Sequence, residues 1–130
     1  MADKTVFRDS DGHAVQRTLT ATVGEHQLAC DGVWAGINVE GGDSGDLRAW
    51  IVDDGIYQWY VPDALSVSDG DIVYLEIADI TGNIPDDTAY STSSGAGKIP
   101  LFKALEAKVT AGGSGNHYVT GKSLLNQQGG

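Results

Sequence analysis

The chain has 130 residues, one cysteine, and eight basic against eighteen acidic residues, which gives a formal net charge of −10. The length suits a single domain, and one cysteine excludes an intramolecular disulfide. The negative charge argues against nucleic acid and anionic membranes as partners, because phosphate binding depends on clustered lysine and arginine. No apolar run approaches the roughly 20 residues that a membrane-spanning helix needs.

The N-terminal segment, residues 1–17, is charged and aperiodic, with Val6, Phe7 and Val15 as its apolar residues. It lacks the continuous apolar stretch of a secretory signal, so we expect synthesis in a cytoplasm. An extended N-terminal arm is the structure that this composition favours.

Beyond the arm, short runs of β-branched and aromatic residues alternate with turns that contain Asp-Gly and Gly-Gly pairs. This spacing predicts an all-β fold, a small barrel or sandwich of short antiparallel strands. The predicted strands span residues 18–23, 33–40, 47–52, 56–61, 72–77, 101–107 and 118–125. Residues 62–65 favour a single helical turn, and residues 102–108 fit a helix or a strand. The β domain is predicted over residues 18–126, with a flexible tail over 127–130.

Tryptophans lie on three of the predicted strands. Trp34 and Trp50 alternate with the aliphatic Ile37 and Ile51, so they point outward if the aliphatic residues line the core. Trp59 lies in a run that is apolar on both faces. Exposed tryptophans anchor protein interfaces and can also stack on sugars. We therefore expect at least one of the three in an interface.

No pattern of catalytic or metal-binding residues is apparent. His26 and Cys30 are four residues apart, a spacing that brings them together only on a helix, and no helix is predicted there. Cys30 has no family signature or recognisable base around it. Asp69-Gly70-Asp71 matches only a fragment of a calcium loop. The sequence predicts a protein that is not an enzyme and has no metal or cofactor.

Five motifs occur in an order typical of one family. They are VWAGI at 33–37, GGDSGD at 41–46, GIYQWYVP at 55–62, SDGDIVY at 68–74 and KALEA at 103–107. In this order the chain resembles the capsid decoration, or cement, proteins of tailed bacteriophages, with Lys103 where glycine is usual. The resemblance implies a β-barrel-like domain without catalytic residues that binds the outer face of the capsid. It would bridge major capsid protein subunits and stabilise the shell.

This resemblance directs attention to surfaces that contact protein. The candidate interface residues are Val6, Phe7, Arg8, Arg17, Trp34, Trp50, Trp59 and Lys103. The expected partners are the major capsid protein and further copies of the chain, as a homotrimer first and a dimer second. A carbohydrate-binding or adhesin-like module and a tail accessory subunit are the alternatives.

Overall fold

The computed structural model of the chain describes residues 14–32, 34–108 and 118–128. Within them the backbone forms short antiparallel strands and three single-turn 3-10 helices, which confirms the all-β prediction. The strands are β1 Ala14–Thr18, β2 Leu28–Cys30, β3 Ala35–Asn38, β4 Leu47–Ile51, β5 Ile56–Tyr60, β6 Ile72–Glu76, β7 Ile80–Thr81, β8 Ile84–Pro85, β9 Tyr90–Ser91, β10 Lys98–Ala104 and β11 Tyr118–Ser123. The 3-10 helices are Ile77–Asp79, Asp87–Ala89 and Leu125–Gln127.

Two sheets and one small hairpin make up the described fold. The four-stranded sheet has the order β1-β4-β3-β2, and the five-stranded sheet has the order β9-β6-β10-β11-β5. Strands β7 and β8 form the hairpin. The two larger sheets share the main core, to which Ala35, Val73, Leu101 and Val119 belong.

The N-terminal boundary of the predicted β domain is wrong. Ala14–Thr18 forms β1 and pairs along its length with Leu47–Ile51, so the predicted division between arm and domain falls inside a strand. Of residues 18–23, predicted as the first strand, Thr18 ends β1 and Val23 forms an isolated bridge with Gly42. Because β1 is an edge strand and only half-buried on its inner face, it lacks the apolar alternation that reveals a strand in sequence. The rest of the predicted arm, residues 1–13, lies outside the described residues.

At the other end of the domain, the sequence of residues 102–108 is compatible with either a helix or a strand. The chain is extended from Lys98 to Ala104 as β10. The predicted turn at residues 62–65 is present, with the Leu65 N–H bonded to the Pro62 carbonyl.

Apolar residues cover both faces of the four-stranded sheet. Ile37 packs toward the main core, whereas Trp50 belongs to a second cluster with Leu19, Val23 and Ala29. Trp50 pairs across the sheet with Asn38, and both side chains are fully buried. The predicted orientation of Trp50 is therefore wrong, because a sheet buried on both faces has no solvent side for alternation to mark.

Trp50 fits its site because residue 36 has no side chain. A Cβ on Gly36 would lie 2.6 Å from the Trp50 Cβ and 3.0 Å from the Ile51 carbonyl oxygen. Neither the strand backbone nor the Cβ of the buried Trp50 can shift without disturbing the close-packed core. The close approach therefore requires glycine in β3.

The substitution Gly36→Ala should lower the free energy of unfolding by about 1–3 kcal/mol, because the added methyl overpacks the contact with Trp50. Urea denaturation with tryptophan fluorescence measures the change. Gly32→Ala is the matched control, since a Cβ there meets nothing within 4 Å. Equal stability of the two variants would contradict this account of Gly36.

The C-terminal residues described are held in place, so the predicted tail over 127–130 is wrong at Gln128. The Gln128 Oε1 accepts a hydrogen bond of 2.7 Å from the Ala35 N–H. Its Nε2 donates to the Ala35 and Leu125 carbonyls. Both polar groups of one β3 residue thus pair with a side chain at the far end of the sequence, as buried backbone groups require.

We expect Gln128→Ala to destabilise the domain by about 1–3 kcal/mol, because it leaves the Ala35 N–H and C=O buried without partners. Thermal unfolding followed by circular dichroism provides the test. Gln127→Ala serves as the control, since the Gln127 side chain is exposed. A frayed tail would instead give no difference between the two variants.

Candidate functional site

A cleft of about 830 Å³ opens between the two sheets, beside β5. Strands β2, β3 and β4 contribute Leu28, Ile37 and Ile51 to one wall. The aromatic lining residues come from β5, β9 and β11: Tyr57, Trp59, Tyr60, Tyr90 and Tyr118. A concave site of this size with few polar groups is typical of a binding site.

The Tyr60 ring meets two other tyrosine rings at steep angles. The Tyr60 and Tyr90 ring centroids are 5.9 Å apart with their planes at 75°. The Tyr60 and Tyr118 centroids are 6.5 Å apart with their planes at 77°. Register brings Tyr118 to Tyr60, because the two residues pair directly across β11 and β5. Tyr118 is 53% exposed and Tyr60 is 41% exposed, so both present ring surface to the cleft and solvent.

Trp59, the neighbour of Tyr60 in β5, is held firmly by contacts with the core. Its indole stacks on Phe102 with centroids 4.9 Å apart and planes 9° from parallel. Its Nε1–H donates to the Gly121 carbonyl at 3.0 Å. Tyr57 meets the same indole edge-on at 5.7 Å. These contacts attach β5 to the core and hold the aromatic side of the cleft.

Acidic residues surround the tyrosine hydroxyls. The Tyr60 Oη donates to Asp87 Oδ1 at 3.0 Å, and burial followed by this hydrogen bond raises the pKa of Tyr60. The Tyr57 Oη donates to the Asp53 carboxylate at 2.8 Å. Burial, and then Asp53, raises the pKa of Tyr57 to about 12. Both phenols therefore remain neutral at physiological pH.

The charged lining of the cleft has one sign. Glu25 and Asp87 line it together with His26, and no lysine or arginine of the described residues does. His26 has a φ of 62°, a left-handed conformation that is uncommon outside glycine. The cleft is accordingly a negatively charged, aromatic environment at neutral pH.

Of the three tryptophans predicted from sequence, Trp59 lines the cleft, and Trp34 and Trp50 do not. Trp50 is fully buried and Trp59 is buried, so the expectation that Trp50 points outward is wrong, and both are core residues of the isolated chain. Trp34 is half-buried against the cluster around Trp50. Its backbone N–H donates a hydrogen bond of 2.7 Å to the Asp31 carboxylate.

The basic candidates lie apart from the cleft. Arg17 forms an ion pair with Asp31 at 2.7 Å, and Lys103 is exposed on β10. Neither residue lines the cleft. Val6, Phe7 and Arg8 lie outside the described residues. A contact with a partner remains a prediction for all five.

Sequence reasoning missed Tyr90, Tyr118 and Asp87. Tyr90 begins a strand of only two residues, and Asp87 lies in a single 3-10 turn. Tyr118 begins the last strand, whose partner cannot be read from its own sequence. The sequence offers no local signal for their grouping. Register brings Tyr118 to Tyr60, and tertiary packing brings Tyr90 and Asp87 to them.

Cys30 is a core residue. It is fully buried, and its Sγ lies 3.9 Å from the Asn83 carbonyl oxygen. Burial, and then the charge of Asp31, raises the pKa of the thiol to about 12. A thiol with such a pKa is a poor nucleophile at neutral pH. Across the described ranges, no three His, Cys, Asp or Glu residues are grouped to hold a metal ion, and no helix is long and apolar enough to cross a membrane.

Native Cys30 should react with iodoacetamide at pH 8 far more slowly than the same thiol in urea. Its raised pKa also predicts that stability is full below about pH 9 and declines toward pH 12, because the unfolded chain loses the proton first. Between pH 8 and 10 this amounts to about 1 kcal/mol. Cys30→Ala should show a smaller decline in urea unfolding over that interval. Rapid native alkylation would contradict the assignment.

Comparison of the chain with protein-family models, with curated proteins and with solved structures finds no match in any of the three.

Proposed function

We propose that the chain is a structural protein of a tailed-bacteriophage virion that binds the outer surface of the capsid and stabilises it by bridging major capsid protein subunits. The observation that carries this proposal is the ordered set of five motifs between residues 33 and 107, within an all-β domain. Each motif alone is only a strand with its turn. The set is informative because the five motifs occur in the order typical of the decoration proteins.

Two of those motifs form the same self-bonded turn. In residues 43–46 the Asp43 N–H bonds to the Asp46 carboxylate at 2.8 Å, and the Asp46 N–H returns to the Asp43 carbonyl. Residues 68–71 repeat both bonds, and the third residue of each turn is a glycine with a φ near 90°. Turns fixed by their own side chains give rigid loops, which suit a domain that docks without rearrangement.

The surface offers apolar contacts for such docking. Ile56 is 63% exposed and Leu47 is 57% exposed, and Leu105 and Val39 are also exposed. Apolar side chains on a surface dominated by acidic residues can anchor contact with another protein. Many copies on one shell would add such weak contacts together, so each need not be strong. A homotrimer is the first expectation for self-association, and a dimer the second.

The cleft favours a second candidate, a carbohydrate-binding module. Its exposed tyrosines, Tyr60 and Tyr118, offer ring surface on which a sugar could stack. The hydrogen-bonding groups of its lining include Gln58 and Asp87. This candidate rests on the cleft alone and does not account for the ordered motifs.

Purified protein should bind expanded capsids that lack their decoration protein and should saturate at a fixed number of copies per shell. Co-sedimentation with labelled protein measures the copy number. Capsids first saturated with unlabelled protein are the control, because their sites are filled. Failure to bind expanded capsids, combined with saturable glycan binding, would favour the second candidate.

A further inference from the structure

We propose that the chain associates head to tail with a second copy of itself, through a basic face on its five-stranded sheet and the acidic turn between β3 and β4 of the neighbouring copy. The inference concerns the two surfaces by which copies recognise each other. It does not require a capsid, although the proposed function also expects several copies of the chain to associate.

Exposed apolar side chains gather in two places in the fold. Six large apolar residues are exposed among the described residues. Four of them lie on or beside the five-stranded sheet, and two flank the turn between β3 and β4: Ile56, Tyr60, Leu105 and Tyr118 in the first group, and Val39 and Leu47 in the second. Apolar side chains that are grouped on a surface, rather than scattered singly, mark a contact with another protein.

The first group lies beside two lysines. Lys103 is directly opposite Lys122 across β10 and β11, and Lys122 is opposite Ile56 across β11 and β5. Residues that face each other in this way project from the same side of a sheet, and Leu105, two positions after Lys103, extends that side. All four side chains are exposed. We call these four residues the basic face.

The two lysines repel each other within the isolated chain. Like charges directly opposite one another destabilise a sheet. Lys122 has the Asp54 carboxylate at 3.5 Å, whereas Lys103 forms no ion pair with any residue that the structure describes. A carboxylate from another molecule would relieve this repulsion. The basic face therefore favours an acidic partner.

The second group lies beside acidic residues. Val39 is 39% exposed and Leu47 is 57% exposed, and they stand at the two ends of the turn. Between them, Glu40 and Asp43 are also exposed. Neither carboxylate forms an ion pair within the described part of the chain. We call residues 39–47 the acidic turn.

The basic face and the acidic turn match in apolar content and are opposite in charge. Each presents two exposed aliphatic side chains and two or more charged ones. The partner surface that the lysines favour is thus present on the chain itself, which points to a second copy. Because the two surfaces lie on different sheets, one copy can use both at once, each with a different neighbour. Such a heterologous contact closes into a ring where the rotation between copies allows it.

Sedimentation velocity of the full chain over a range of concentrations provides the test. We expect reversible association that weakens as salt is added, because salt screens the charges at the contact. Lys103→Glu and Glu40→Lys should each weaken association by roughly tenfold to a hundredfold, because each brings like charges together. Asp86→Lys is the control, since it reverses a charge at an exposed residue outside both surfaces and should leave association unchanged.

A mixture of the two weakened variants tests the head-to-tail geometry. Lys103→Glu retains the acidic turn, and Glu40→Lys retains the basic face, so together they should form an equimolar complex that grows no further. Lys103→Glu should also leave the Tm unchanged or higher, because it replaces the repulsion with Lys122 by an attraction. Thermal unfolding of each variant, followed by circular dichroism, thus separates loss of association from loss of the fold.

Three results would overturn the inference. They are a monomer at every concentration and salt, an effect of Lys103→Glu or Glu40→Lys no larger than that of Asp86→Lys, and no complex in the mixture of the two variants. Capsid co-sedimentation separates this inference from the proposed function. If the chain binds capsids but is monomeric in solution, the contact fails and the capsid function stands. If the chain associates as described and binds no capsids, the capsid function fails and the contact stands.

Discussion

The structure depends on the absence of a side chain at Gly121. Trp59 from β5 and Phe102 from β10 stack face to face over this residue of the intervening strand, and the indole N–H bonds to its carbonyl. A Cβ at position 121 would collide with the Phe102 ring. The missing side chain thus allows two aromatic residues to join three strands. Because β5 is fixed by this stack, the tyrosines beside Trp59 have defined positions, and the cleft exists.

Sequence patterns predicted the strands well where local chemistry decides them. Strands β4, β5 and β6 lie between glycine-containing turns and have the β-branched and aromatic composition that favours extended backbone. The same reasoning failed for Trp50, because the direction of a side chain depends on what covers each face of the sheet. Gly36 was the available signal, since a glycine inside a strand indicates close approach by a neighbour.

The cleft was beyond prediction for a different reason. Tyr60, Tyr90 and Tyr118 come from three strands separated by long stretches of sequence. Register pairs Tyr118 with Tyr60, whereas Tyr90 lies on the opposite edge strand of the sheet and meets Tyr60 only through tertiary packing. A one-residue slip of β11 against β5 would turn Tyr118 to the opposite face and remove it from Tyr60. Local propensity has no information about that choice. Gln128 illustrates the same limit, because its polar, glycine-rich neighbourhood is typical of a frayed end.

The hydrogen bonds between Gln128 and Ala35 bear on how the chain folds during its synthesis. The two residues are 93 positions apart, whereas β1–β4 pair with one another within residues 14–51. At 5–20 residues per second, the ribosome needs roughly 4–15 s after Ile51 to add Gln128. A nascent four-stranded sheet would therefore persist with the Ala35 amide and carbonyl unpaired. The hydrogen bonds from Gln128 supply these two groups with partners once the chain is complete to that residue.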